Sequence, residues 1–203
     1  TLELIGPDES AHCVVGCYMM NVKGRTIFLA DATVNVYPDS RTLAEIAVQT
    51  AKVARRFGVA PRVAMLSFSN FGSSRAQRSE RIEDAIEFAR ELDPSLVIDG
   101  PMQADTALNG DVQTEYPFMD FKGPANVLVL PNLAAANIAY KLLEELGDAE
   151  MTGPILEGMD KPVQLVARQD GVRHIVNMAA ICAADAIRQD SYWETLVTPN
   201  IDG

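Results

Sequence analysis

Short apolar runs that never alternate with polar residues, each followed by an amphipathic helix pattern, constrain this chain more than any other feature. Residues 62–67 and 125–130 are such runs. A strand with one wet face alternates apolar and polar side chains, so an unbroken run reads as a strand covered on both faces. Strands that alternate with helices give a parallel sheet with helices packed on its faces.

The helices follow from spacing. In residues 39–57, Leu43, Ile46, Ala47, Thr50, Ala54 and Phe57 fall at intervals of three and four and form one buried stripe. Thr42 and Glu45 have the spacing of a capping box, and Gly58 closes the helix. A second helix is expected over residues 79–92, with Ile82, Ala85, Ile86 and Ala89 on one face and Asp93-Pro94 ending it. A weaker helix pattern covers 103–115, stronger ones 133–146 and 172–188. Further short strands are expected at 96–98, 154–156 and 162–166. The opening, 14–20 and 26–30 around Lys23-Gly24, reads as a hairpin. The tail, 189–203, has little periodicity. No distinct linker appears, and any subdivision is expected near residues 131–133.

The chain has 203 residues, with 17 Lys and Arg against 28 Asp and Glu and a formal charge of −11. That balance argues against nucleic acid, whose partners present a basic face. Apolar content of 48% is too high for a disordered chain. No run approaches the roughly 18 apolar residues of a spanning helix, and no signal peptide is visible. Three cysteines, Cys13, Cys17 and Cys182, make no disulfide framework and suit a reducing compartment. With only His12 and His174 beside them they read as buried thiols, not metal ligands. The chain opens on Thr1 and enters strand-like sequence almost at once, as a piece of something larger would.

In an open α/β sheet, ligands bind beyond the carboxyl ends of the strands. The loop after residues 62–67 runs Phe68-Ser-Asn-Phe-Gly-Ser-Ser-Arg75 into a helix. Hydroxyls, free N–H groups and a helix terminus can cradle an anion, and arginine's planar fork suits phosphate. A solvated loop that caps a helix is the plainer alternative. Arg168, between a short strand and a helix, is a second anion candidate, with a surface pair to Asp170 as its plainer reading. One sheet edge is expected to gather both. There is no Walker A, GxGxxG or GxSxG pattern, and no nucleophile stands with its base.

Nine short motifs share one resemblance: Ala30-Asp-Ala-Thr-Val-Asn35, Pro61-Arg-Val-Ala-Met-Leu-Ser67, Ile98-Asp-Gly100, Met102-Gln-Ala-Asp105, Ala125-Asn-Val-Leu-Val-Leu-Pro-Asn132, Asn137-Ile-Ala-Tyr-Lys141, Gly153-Pro-Ile-Leu156, Lys161-Pro162 and Ile175-Val-Asn177. In order and spacing they resemble phosphotransacetylase, from about Val14 to Ile187. The resemblance implies a three-layer, parallel-sheet α/β fold of the isocitrate/isopropylmalate dehydrogenase-like kind, with two subdomains. Residues 1–134 would be the inserted second subdomain. Residues 135–203 would be the return segment of the first, whose N-terminal half is not in this sequence.

Phosphotransacetylases move an acetyl group between coenzyme A and phosphate. The resemblance places the family's serine at Ala167, its neighbouring arginine at Arg168, its aspartate base at His174 and a further arginine at Glu145. Alanine cannot donate to an oxyanion, and glutamate repels phosphate, so acetyl transfer is expected to be lost. The altered positions, with Phe68-Ser-Asn-Phe-Gly-Ser-Ser74, resemble the C-terminal domain of bacterial hybrid malic enzymes. That implies a regulatory acetyl-CoA-binding domain, itself non-catalytic, of a cytoplasmic NADP-dependent malic enzyme. The malic enzyme domain of the parent chain and other copies in a homo-oligomer would be its partners. The expected ligand contacts are Ser69, Asn70, Ser73, Ser74, Arg75, Asn132, Lys141 and Arg168. No metal is expected in this piece, and NADP and Mg or Mn belong to the absent malic enzyme part. Two alternatives are an active phosphate acetyltransferase with His174 as base and an oligomerisation module without ligand.

Overall fold

The computed structural model describes residues 4–9, 11–72 and 77–197, and side chains within these apart from 77–79 and 190–197. The hairpin forms as expected. β1 (Val15–Val22) pairs antiparallel with β2 (Arg25–Ala30), and Lys23 and Gly24 turn the chain at positive φ. α1 (Ser40–Arg56) follows, then β3 (Val63–Leu66) and α2 (Gln77–Leu92). β4 (Ile98–Met102) is followed by two short helices, α3 (Ala104–Leu108) and α4 (Gly110–Gln113). β5 (Val127–Val129), α5 (Leu133–Gly147), β6 (Glu150–Glu157) and α6 (Val172–Val197) complete the order.

The six strands lie in the order β4-β3-β5-β2-β1-β6. β4, β3, β5 and β2 are mutually parallel, while β1 is antiparallel to both β2 and β6. The sheet is therefore parallel-dominant with an antiparallel edge, inside a mixed α/β fold. Two apolar layers flank it. One gathers Leu43, Ile46 and Val53 of α1 with Ile82 and Ala85 of α2. The other gathers Ala107 of α3, Met119, Phe121, and Ala136 and Tyr140 of α5.

Several boundaries differ from the sequence pattern, each for a local reason. Strand β4 continues through Asp99-Gly100-Pro101, where apolar pattern stops. The Asp99 carboxylate accepts from the Gly100 and Asp120 N–H groups at 2.8 Å each, which lets the strand carry a buried charge. Gly100, at φ +144, lies so close to β3 that a Cβ would come 2.6 Å from the Met65 carbonyl. The helix expected over 103–115 is broken at Asn109, whose carboxamide accepts from Asp111 N–H and starts α4. Residues 162–166 form no strand; Pro162 has no N–H to donate, and the Gln164 carboxamide oxygen takes the Leu156 N–H instead. The expected strand at 154–156 is part of β6, and α6 extends beyond residue 188.

The start of α1 is capped by Asp39, not by a Thr42–Glu45 box. The Asp39 carboxylate accepts from Thr42 N–H at 2.8 Å, and Glu45 is buried against Gln49 at 2.6 Å. The Thr42 hydrogen bonds hold the Asp39 carboxyl below its ordinary pKa of 3.8. Asp39→Ala should therefore cost about 1 kcal/mol at pH 7, the usual value of a cap. With a folded-state pKa below the unfolded one, that stabilisation is full above pH 3.8 and disappears as pH falls through the lower, folded value. Denaturant unfolding of both proteins across the acid range reads the convergence.

Candidate functional site

Strands β2, β5, β3 and β4 all point their carboxyl ends at one edge. On leaving β2, Asp31 turns its buried carboxylate back onto the chain. It accepts from Thr33, Val34 and Asn35 N–H groups at 2.8, 3.1 and 2.8 Å, from Gly16 N–H at 3.4 Å, and from the Asn35 carboxamide. The same carboxamide also donates to Val14 O at 2.9 Å, which ties this loop to the start of β1. Thr33 packs so closely on Gly16 that a Cβ there would meet it at 2.7 Å.

On leaving β5, Asn132 caps α5, its side chain accepting from Ala135 N–H at 2.9 Å. After β3 the chain is fixed by Ser67 N–H to Met102 O (2.8 Å) and Phe71 N–H to Pro101 O (2.7 Å). Asn70 accepts from Gln103 N–H and donates to the Gln103 side chain and the Tyr116 hydroxyl, so both ends of its carboxamide are occupied. Ser69 is the opposite case: 6% exposed, with a hydroxyl that has no hydrogen-bond partner among the described residues. Ser73, Ser74 and Arg75 lie outside the described residues.

A second group forms around the turn into α6. Asp170 accepts from Ala167 N–H at 2.6 Å, and its other near neighbour is His174 Nε2 at 3.5 Å. Arg168 is exposed, with no carboxylate within 4 Å among the described residues; the surface pair with Asp170 does not form. Nearby, Tyr18 of β1 stacks on Tyr140 of α5 with ring centroids 4.4 Å apart. Burial, the Tyr140 hydrogen bond and the negative charges of Glu144 and Asp170 push the Tyr18 hydroxyl pKa up. The Lys141 ammonium sits 5.1 Å from the Tyr140 ring centroid, and Glu145 is exposed on the same helix.

The two groups do not converge at one point. β3 lies three strand positions from β1, roughly 14 Å at the usual spacing of about 4.8 Å. Asn132 and Lys141 are nine residues apart along α5, roughly 13 Å of helix. One small anion cannot touch both groups, whereas an extended ligand can. Elsewhere, a cavity of about 320 Å³ is lined by Asp8, Asp160 and Asp185 against Arg56, Lys161 and Arg188, and this even balance gives it no pull on a polyanion. Of the three thiols expected to be buried, only Cys17 is; Cys13 and Cys182 are partly buried. Desolvation pushes Cys13 and Cys17 up to about 12, which disfavours their thiolates. Among the described residues, no three His, Cys, Asp or Glu side chains group to hold a metal ion. No described helix is long and apolar enough to cross a membrane.

Sequence reasoning did not single out Asp31, Arg81 or the Tyr18–Tyr140 pair. Arg81, on α2, donates to Pro38 O and Pro131 O at 3.0 Å each, reaching the loops after both β2 and β5. Its only sequence signal was an arginine beside the apolar stripe at Ile82, which any surface helix can show.

Residues 1–183 match the family described as phosphate acetyl/butaryl transferase. The chain belongs to that family. An NADP-dependent malic enzyme of Escherichia coli (strain K12) is 45% identical over 188 residues, 92% of this chain and 25% of that protein. A phosphate acetyltransferase of Bacillus subtilis (strain 168) is 40% identical over 187 residues, 92% of this chain and 58% of that protein. Among solved structures, the EutD phosphotransacetylase from Staphylococcus aureus superposes with a TM-score of 0.86 at 34% identity, covering 91% of this chain and 58% of that one. The chain thus spans a quarter of one relative and under two thirds of the others.

Proposed function

We propose that this chain is the acetyl-CoA-binding, phosphotransacetylase-like domain of a cytoplasmic hybrid malic enzyme, regulatory and without acetyl transfer of its own. The parent reaction would be the NADP-dependent oxidative decarboxylation of malate to pyruvate and CO2, with the domain also serving homo-oligomer assembly. One observation carries the reading. Position 167 has only a methyl group, and its N–H is committed to Asp170, while Arg168 beside it is exposed and unpaired among the described residues. A cation able to meet phosphate remains where the donor for a developing oxyanion is absent.

Exposed apolar stripes on the later helices support the subdomain assignment. Ile138, Leu142 and Leu146, spaced by four on α5, and Val172 and Val176, spaced by four on α6, are each more than half exposed. Exposed apolar surface of that kind marks where another part of a protein packs. On this reading the N-terminal half of the first subdomain covers them.

Calorimetric titration of the protein with acetyl-CoA tests the proposal; no heat at millimolar ligand overturns it. A second reading, an active phosphate acetyltransferase, is favoured by His174, an imidazole of the type that serves as a base, whose Nε2 lies 3.5 Å from the Asp170 carboxylate. Acetyl phosphate formation from acetyl-CoA, abolished in His174→Ala, would establish that reading instead.

A further inference from the structure

Arg81 joins two loops that the topology separates. β2 and β5 are neighbours in the sheet, but their connections leave to opposite faces. α1, after β2, packs in the layer with α2, whereas α5, after β5, packs in the layer with α3. A crevice opens beyond the carboxyl ends of adjacent strands where connections diverge in this way, and such crevices are where open α/β sheets take their ligands. One lip is the loop after Asp31; the other is Pro131-Asn132 and the first turn of α5.

Each lip is rigid within itself. The Asp31 carboxylate fixes residues 33–35, and the Asn132 side chain fixes the start of α5. Between the lips, beyond the ladder that ends with Leu130 N–H to Ala30 O, stands a single long backbone bond among the described residues, Leu133 N–H to Val36 O at 3.3 Å. The Arg81 fork supplies the remaining link, with one terminal nitrogen on Pro38 O and the other on Pro131 O. A planar guanidinium holds two carbonyls on separate nitrogens in a fixed geometry, whereas the donors of an ammonium share one nitrogen on a flexible stem. The fork also bears a cost: its Nε is buried without a hydrogen-bond partner among the described residues. A buried unsatisfied donor is uncommon and calls for a reason beyond stability.

We propose that Arg81 is a positioning residue of the ligand edge, setting the width of the crevice between the β2–α1 and β5–α5 loops and so the placement of Asn132. The inference rests on the acetyl-CoA reading for its ligand but not for its geometry. It predicts that Arg81→Gln weakens acetyl-CoA binding at least tenfold in calorimetry. Arg81→Lys should lose nearly as much, because charge is kept and the fork is lost. Val53→Ala, a core truncation about 20 Å further along α1, serves as the stability control.

Three outcomes separate the ideas. Wild-type affinity in Arg81→Lys, or an equal loss in Val53→Ala at matched melting temperature, overturns the positioning role. Failure of the unaltered protein to bind acetyl-CoA sinks the functional reading alone. In that case hydrogen exchange decides the geometry: the Leu133 amide should exchange at least tenfold faster in Arg81→Gln than in Val53→Ala. An unchanged rate overturns the bracket as well.

Discussion

Asp31→Ala is expected to lose about 4 kcal/mol of unfolding free energy, the largest single loss on stability at this edge. The carboxylate is 2% exposed and accepts from four backbone N–H groups and one carboxamide. Alanine leaves those donors with no acceptor, and each one still shut from water costs about 1–3 kcal/mol. A total near 4 kcal/mol assumes that about half rehydrate. Against a usual net stability of about 5–15 kcal/mol, that places the variant close to unfolding. The melting temperature should fall by roughly 12 °C, from about 2–4 °C per kcal/mol in a chain of this size. Asp31→Asn should lose less, since one oxygen remains for the Thr33 and Val34 N–H groups. Its amide would then face the two donors of Asn35. A loss under 1 kcal/mol for alanine would mean that the loop is held by something other than this hub.

Asp31 also shows where reading the sequence stops. Local periodicity revealed α1, α2 and α5 and the buried strands β3 and β5, because burial repeats within a few residues of itself. Thr50 and Ala54 could be placed on the inner stripe of α1 from spacing alone, and both are buried. What periodicity cannot reveal is pairing at long range. Strand β6 is an eight-residue strand because it pairs with β1, more than 130 residues earlier, and its own composition shows only the middle of it. Strand β4 was misplaced for a related reason, since one of the two N–H groups that hold the Asp99 carboxylate comes from Asp120, across the loop.

The candidate site divides along the same line. Residue types that suit anions were visible at Ser69, Asn70, Asn132, Lys141 and Arg168, but their obligations were not. Asn70 and Asn132 prove to be committed to the backbone around them, which is the ordinary fate of asparagine at loop and cap positions. Ser69 and Arg168 keep polar groups without a partner among the described residues. Arg81 was invisible because both its acceptors are backbone carbonyls, one 43 and the other 50 residues away.

Arg168→Glu is expected to weaken acetyl-CoA binding about a hundredfold, the largest effect on ligand expected from a described side chain. The chain carries a formal charge of −11, so its long-range field opposes a polyanion. Attraction must come from a few local cations at short range. Of the described cations proposed to meet the ligand, Lys141 already lies over Tyr140, whereas Arg168 has no hydrogen-bond or ion-pair partner among the described residues. A charged hydrogen bond to phosphate contributes about 1.5–3 kcal/mol; Arg168 is exposed, so the lower figure applies and Arg168→Ala should lose about tenfold, at roughly 1.4 kcal/mol per decade. Reversal adds repulsion to that loss. Because the effect is electrostatic, it should shrink as salt shortens the Debye length toward about 3 Å at 1 M. Ala167→Ser, next door, should leave affinity within about twofold, since a hydroxyl adds no charge to the site. Calorimetry of the three variants at low and high salt separates these cases. Equal affinity for Arg168→Glu and the unaltered protein would remove Arg168 from the site and shift the ligand toward the edge at Ser69.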